Sequence, residues 1–141
     1  MATAGYGHYE VDGYLDEVFE ALQPEFGTCF GRIYELEGKH VLGLLLGQRT
    51  YLWRNASEVG TAIILSPEAS TVKMEVIGFA GATGLLETDW GANKVIVGDV
   101  EKWLRERGFK VRRVEFRELE SGAYASFLGV LQPLLSPPPE D

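Results

Sequence analysis

The chain has 141 residues, 45% of them hydrophobic and 24% charged, a composition typical of one folded domain rather than a disordered chain. Its formal net charge of −8 repels phosphates, which argues against general binding to nucleic acid or anionic membranes. The one cysteine cannot form an internal disulfide, and no signal peptide or membrane-spanning stretch is evident. We expect a single cytoplasmic domain over residues 1–141, with flexible ends at 1–7 and 136–141.

The first predicted elements are a short strand and a helix. Residues 8–11 have the alternation of a strand, and Asp12 follows at a position suited to an N-cap. The next apolar residues recur at helical spacing, namely Leu15, Val18, Phe19 and Leu22. Pro24 and Gly27 are typical of a helix end, so the pattern predicts a helix over 13–23.

The middle of the chain changes to short β-type runs separated by turn residues. The runs predict five strands, at 29–36, 40–46, 49–54, 59–65 and 71–79. Glu37-Gly38-Lys39 is suited to a hairpin, and Gly47-Gln48 is a second break of two residues. Connections this short are too short for parallel crossovers, so the strands are expected to form an antiparallel meander.

The last third predicts a helix, a strand and an apolar segment. The helix covers 93–107 and ends before Gly108, the strand covers 109–116, and a further short strand is possible at 85–87. Over 121–131 an apolar helical stripe appears, made of Tyr124, Phe127, Leu128 and Leu131. The expected fold is α+β: one antiparallel meander of five to seven strands, with two or three helices packed on one face.

A glycine-rich corner follows the strand at 71–79. The candidate ligand-binding residues there are Gly81, Thr83, Gly84, Glu87, Asp89 and Trp90. The turn is similar to the phosphate-binding turn of some dinucleotide-binding reductases, but that chemistry needs a helix that opens directly after the glycines. Residues 85–89 intervene, so we expect no cofactor and interpret the corner as a tight turn. The carboxylates of Glu87 and Asp89 have no histidine or third acid close to them in the sequence, so we expect no metal site there.

Basic residues concentrate near the carboxyl end of the predicted second helix and in the strand after it. Four of them are candidate anion-binding residues: Arg105, Arg107, Arg112 and Arg113. The first 25 residues contain acids but no lysine or arginine, so the basic segment could instead complement them within one chain or across a dimer. The net negative charge favours this second interpretation.

The sequence contains few residues that could act as a nucleophile and its general base. Cys29 falls in a predicted strand, where a cysteine is usually a small buried hydrophobic residue, and His8 and His40 are the only histidines. We therefore assign no catalytic residue and expect no cysteine–histidine pair.

Three short patterns resemble a family of small prokaryotic proteins of unknown function. They are Tyr51-Leu-Trp-Arg-Asn-Ala-Ser, Val76-Ile-Gly followed by Gly81 and Gly84, and Asp89-Trp-Gly-Ala. The resemblance covers roughly residues 10–110 and implies a fold of this kind. It implies no activity, cofactor or catalytic residue.

The leading hypothesis for function is a non-enzymatic module that associates with itself or with another protein. Exposed strand edges and the apolar segment 120–135 motivate it. One alternative is a small-ligand binding protein or enzyme with its site at the corner 78–91. A second alternative is anion or nucleic-acid binding through 102–117. The expected partner is a second copy or another protein, with no membrane and no defined small-molecule ligand.

Overall fold

A computed structural model describes residues 4–51, 57–80 and 90–119. The strands within these ranges are β1 (Ala4–Asp12), β2 (Phe30–Leu36), β3 (Lys39–Tyr51), β4 (Ser57–Pro67), β5 (Thr71–Ala80) and β6 (Val111–Leu119). The helices are α1 (Leu15–Phe26) and α2 (Trp90–Glu106). No helix in the described ranges is both long and apolar enough to cross a membrane.

All six described strands form one antiparallel sheet in the order β2-β3-β4-β5-β1-β6. This confirms the predicted α+β class. The meander is limited to β2 through β5, because β1 lies between β5 and β6 instead of at an edge. The strands β2 and β6 are therefore the two edges of the described sheet.

The position of β1 corrects the predicted flexible amino end. Residues 4–7 belong to this internal strand, where Ala4 pairs with Phe79 on one side and with Leu119 on the other. Glycine and alanine gave these residues little strand signal, but two neighbouring strands satisfy their backbone groups. Residues 1–3 and 136–141 lie outside the described ranges.

Both helices pack on the same face of the sheet, and the main core lies between the two layers. α1 buries a stripe at helical spacing, Leu15, Val18, Phe19, Leu22 and Phe26. α2 contributes Ile96, Val97, Val100 and Leu104, which are all fully buried. The helices also contact each other, since the indole Nε1 of Trp103 donates to the Ala21 carbonyl at 2.7 Å. The predicted single-face packing is confirmed.

Helix α1 begins and ends later than predicted. Its N-cap residue is Tyr14, which makes no side-chain capping bond, and Asp12 is the last residue of β1. Pro24 lies inside the last turn, where the lost N–H removes only one intrahelical bond. Gly27 ends the helix with its N–H on the Gln23 carbonyl at 2.9 Å.

Strand β3 is continuous through the predicted break at Gly47-Gln48, so the predicted strand 40–46 and residues 49–51 of the predicted strand 49–54 belong to one strand. Residues 52–54 lie outside the described ranges. Gly47 is needed for a different reason, namely the close approach of the carboxyl end of α1. A Cβ atom there would lie 2.5 Å from the Phe26 carbonyl oxygen. The glycine therefore marks a helix–sheet contact and not a turn.

Two other predicted turns are confirmed. Glu37 and Gly38 both have positive φ, 53° and 77°, as a two-residue type I′ hairpin requires. Gly108 has φ 87° and ends α2, and the Phe109 N–H returns to the Leu104 carbonyl at 3.1 Å. α2 starts three residues earlier than predicted, and the possible strand at 85–87 and the segment 121–131 lie outside the described residues.

Candidate functional site

The second face of the sheet is the one that neither α1 nor α2 covers, and we call it the helix-free face. Because opposite residues of an antiparallel pair share a face, the strand register gives its rows of side chains. One row crosses all six strands through Phe30, Leu46, Ala62, Ile77, Tyr6 and Arg117. The next row is Arg32, Leu44, Ile64, Glu75, His8 and Glu115.

These rows divide the helix-free face into an apolar part and a charged part. The apolar patch lies on β3, β4 and β5 and consists of Leu42, Leu44, Leu46, Ile64, Ile77 and Phe79. Leu46 and Phe79 remain 36% and 37% exposed. Ile77 is buried, in a small cluster with Ala4 and Leu119 that contains no helical residue. The apolar patch is thus continuous with the end of β6.

The charged part lies on β5, β1 and β6, toward the opposite end of these strands. The Tyr6 hydroxyl donates to Glu75 at 2.7 Å, and burial together with this carboxylate raises the pKa of Tyr6 well above its ordinary value. Lys73 lies 3.8 Å from Glu75. Arg112 on β6 pairs with Glu10 on β1. Ion pairs therefore satisfy this part of the face within the chain.

The β2 edge carries fewer charged residues than the β6 edge. It has one cation and one anion, Arg32 and Glu35, among seven residues. Phe30 and Leu36 near its ends are 40% and 66% exposed. The register shift in the β2–β3 pair places its extra residue, Val41, on β3, so the outer edge of β2 is uninterrupted. Backbone groups on such an edge can pair with another strand.

The β6 edge is protected in ways that β2 is not. Its charged residues are Arg112, Arg113, Glu115, Arg117 and Glu118. The pairing with β1 shifts between His8 and Tyr9, which leaves Val114 as an extra residue on the edge strand itself. Charges and a bulge on the outermost strand both oppose pairing with a further chain. The sheet therefore has one protected edge and one open edge among its described strands.

The glycine corner connects the end of β5 to the start of α2. Gly81, Thr83, Gly84, Glu87 and Asp89 lie outside the described residues. Trp90 is the first residue of α2. The ligand-binding prediction for this corner stays a prediction.

The structure brings together some of the predicted anion-binding residues and gives each a partner within the chain. Arg105 and Arg113 both bind Glu101 of α2, at 3.2 and 3.0 Å. The Arg107 guanidinium lies 3.1 Å from the centroid of the Trp103 ring. As described above, Arg112 pairs with Glu10. These pairings neutralise much of the basic charge, so the anion-binding hypothesis gains no support from the geometry.

Two open clefts lie near the amino end of α1. One, of about 470 Å³, combines the acids Asp12 and Glu17 with the bases Arg107 and Lys110. The other, of about 530 Å³, is lined by Tyr14, Asp16, Glu17, Lys39, His40 and neighbouring residues. Both have mixed charge at their rims, and neither contains an ordered set of catalytic groups.

Tyr9 is the one buried polar side chain without a hydrogen bond among the described residues. Its ring packs over Gly7, where a Cβ atom would lie 2.6 Å from the ring. Its hydroxyl makes no hydrogen bond of good geometry, although the Glu101 carboxylate and the Arg113 guanidinium lie close enough to influence its pKa. Burial and the Glu101 charge raise the pKa of Tyr9 from 10.0 to about 12. A neutral phenol of this kind serves packing and is a poor proton donor near neutral pH.

The cysteine and the histidines do not form a catalytic group. Cys29 is exposed and precedes β2, which corrects the prediction that it is buried within a strand. His40 lies 3.0 Å from Glu35 near the turn of the β2–β3 hairpin. Cys29 lies at the other end of this hairpin, so it is remote from His40. Within the described ranges no three acids, histidines or cysteines cluster as metal ligands would.

Comparison of the chain with models of known protein families and with curated proteins finds no match. The resemblance to small prokaryotic proteins of unknown function therefore stays a prediction. Sequence reasoning found the glycine corner and the basic segment but did not identify the open β2 edge. The sequence signal is the contrast between two charged residues among seven in β2 and five among nine in β6, and it becomes meaningful only when both strands are known to lie at edges.

Proposed function

We propose that this protein is a non-enzymatic, self-associating module of the cytoplasm, in which two copies pair through the β2 edges of their sheets. The observation that carries the proposal is the contrast between the two edges. β6 carries five charged residues and a bulge, whereas β2 is uninterrupted and ends in exposed apolar side chains. Antiparallel pairing of β2 with β2 of a second copy would extend the sheet across a two-fold axis.

The sequence of β2 favours one register. Opposite residues must share a face, so the two-fold axis passes through a residue position. An axis at Ile33 places Phe30 opposite the second copy's Leu36 and Arg32 opposite its Tyr34. Both exposed apolar residues become covered, and no like charges meet. An axis at Arg32 would instead place two arginines opposite each other, which is destabilising.

A double variant, Phe30→Lys with Leu36→Lys, tests the interface. It removes both exposed apolar contacts and places lysine opposite lysine twice in the favoured register. Val114→Lys is the matched control, because Val114 is 51% exposed on the other edge strand. Light scattering after size exclusion should give twice the 15.6 kDa chain mass for the wild type and for the control. The double variant should elute as a monomer.

Cross-linking tests the register itself. In a Cys29→Ser background, Ile33→Cys places two thiols opposite each other at about 5 Å between Cα atoms, within disulfide range. Tyr34→Cys is the control, because its two copies would be diagonal neighbours about 7–8 Å apart. Efficient cross-linking should occur at position 33 only. A wild type that is monomeric across the micromolar range would refute the proposed function.

A further inference from the structure

We propose that the cleft between the end of β1, the first turn of α1 and the turn after α2 binds short peptides through their two charged ends. The ammonium end of the peptide binds the acids Asp12 and Glu17, and its carboxylate end binds the bases Arg107 and Lys110. No residue of β2 lines this cleft, so the proposal goes beyond self-association and does not depend on it.

Backbone hydrogen bonds hold the walls of the cleft in place. The Asp12 N–H donates to the Lys110 carbonyl at 3.0 Å, which joins the wall that contains the acids to the wall that contains the bases. The Gly108 N–H donates to the Arg105 carbonyl at 3.1 Å and fixes the turn after α2. Phe109 lines the cleft and packs against the main core, so it gives the cleft an apolar surface. The backbone around the cleft is therefore ordered before a ligand binds.

The four charged side chains of the cleft form no ion pair with any residue in the described part of the chain. Asp12, Glu17 and Lys110 have no side-chain partner there, and Arg107 contacts only the ring and the carbonyl of Trp103. No carboxylate oxygen of the two acids lies within 4.0 Å of a nitrogen of the two bases. Charges of both signs thus line one space without neutralising each other.

Charged residues close to the cleft do form pairs. Arg112 pairs with Glu10, each two residues away in sequence from a charged residue of the cleft. Lys102 on α2 lies 3.9 Å from Glu106. The acids and bases of the cleft differ from these neighbours, because their opposite charges remain available to a ligand. An arrangement of this kind is complementary to a molecule that itself carries both charges.

The size of the cleft and the charge of the protein favour a short zwitterionic peptide. A volume of about 470 Å³ equals that of a sphere about 10 Å across, and three extended residues at 3.3–3.6 Å each reach about 10 Å. A single amino acid fills only part of this space. A zwitterion has no net charge, so the formal net charge of −8 does not repel it as it repels anions.

Titration of the ¹⁵N-labelled protein with trialanine, followed by amide chemical shifts, tests the proposal. We expect the Gly108 and Phe109 amides to shift with a dissociation constant on the order of 1 mM, because the ionic contacts are exposed. N-acetyl-trialanine lacks the ammonium group and trialanine amide lacks the carboxylate, so each should bind about tenfold more weakly.

Two results of this titration would overturn the proposal. One is the absence of shifts at Gly108 and Phe109 when trialanine is raised well above the expected dissociation constant. The other is binding of either blocked peptide as tight as that of trialanine. Tight binding of the amide would mean that the acidic protein attracts any cation, and tight binding of the acetylated form would mean that the ammonium group is not recognised. These arms use the wild-type chain, so they do not depend on the folding of a variant.

Substitutions then assign the binding to the cleft. Glu17→Gln and Lys110→Gln each remove one charge from it and should each weaken trialanine binding about threefold to fivefold. Glu20→Gln and Lys94→Gln are the matched controls, because both side chains are exposed on the helices and neither lines the cleft. They should leave the affinity unchanged. Equal losses in the variants and their controls would refute the assignment, because the net charge of the protein would then determine the affinity.

Discussion

The raised pKa of the buried Tyr9 hydroxyl predicts that this one group makes the stability of the fold depend on pH in the alkaline range. The ring is fully buried against Gly7 and contributes apolar area, while its hydroxyl has no hydrogen bond. An unpaired buried hydroxyl costs roughly 1–3 kcal/mol in the folded state. The residue therefore contributes through its ring and not through its polar atom.

Replacement of Tyr9 by phenylalanine should leave the free energy of unfolding unchanged or raise it by about 1 kcal/mol near neutral pH. The pKa of about 12 in the fold exceeds the ordinary 10.0, so the unfolded chain loses this proton first as pH rises. Stability is then fully present below pH 10 and falls between pH 10 and 12, by up to about 3 kcal/mol from this group.

Urea unfolding of wild type and Tyr9→Phe at pH 7, 10 and 11 measures this contribution. Between pH 7 and pH 11 the free energy of unfolding should decrease more for the wild type than for Tyr9→Phe. Tyr14→Phe is the control, because Tyr14 is 70% exposed. If the wild type and Tyr9→Phe lost the same amount of stability, the pKa of Tyr9 would have to be the same in the folded and unfolded states, which would contradict the prediction.

The ion pairs that join α2 to β6 account for the basic segment. Glu101 is only 15% exposed at its side chain and binds Arg105 of its own helix and Arg113 of the strand. Arg105 also donates to the Val111 carbonyl at 2.6 Å, where β6 begins. The basic residues thus position β6 against the helix.

Glu101→Gln should cost about 1 kcal/mol of stability at low salt, and less in 1 M salt, because the two arginines are half exposed and screened by water. Glu106→Gln is the matched control, since Glu106 is 57% exposed and 3.9 Å from Lys102. It should change stability by less than about 0.3 kcal/mol. Thermal unfolding at both salt concentrations measures the difference, and equal effects of the two substitutions would contradict this role for Glu101.

Local patterns predicted most elements because the apolar stripes of α1 and α2 and the turns at Glu37 and Gly108 are set by nearby residues. The prediction of a break at Gly47 was wrong because the group that requires a glycine there, the Phe26 carbonyl, belongs to another element, α1. The same limit applies to the candidate sites. Arg112 and Arg113 were identified as part of a basic group, but their partners Glu10 and Glu101 become neighbours only in the folded chain. The Glu101–Arg105 pair is different, because its spacing of four residues on one helix can be read from the sequence.

In the molecule as a whole, the position of β1 decides how the sheet is joined. β1 pairs along its whole length with β5 and over most of its length with β6, so it joins the meander to the last described strand. Sequence patterns place a strand near His8 but contain no information on its neighbours. The order of strands therefore had to come from the structure.

Deletion of residues 2–7 should abolish cooperative unfolding, because it removes half of an internal strand and leaves β5 and β6 with unpaired backbone groups. Deletion of residues 2 and 3 alone is the control and should preserve the transition. Circular dichroism during heating measures both. A wild-type midpoint after the longer deletion would mean that Ala4–Gly7 contribute little to the sheet.

The same strand order has a consequence for synthesis on the ribosome. β1 is made first, yet one of its two neighbours, β6, is made more than 100 residues later. Until Val111–Leu119 emerge, the nascent chain can complete only the pairing of β1 with β5, and the other side of β1 stays open. Closure of this sheet therefore waits until β6 has been made, and slow synthesis of the chain between β1 and β6 would prolong the exposure of the open side of β1 to aggregation and to chaperones.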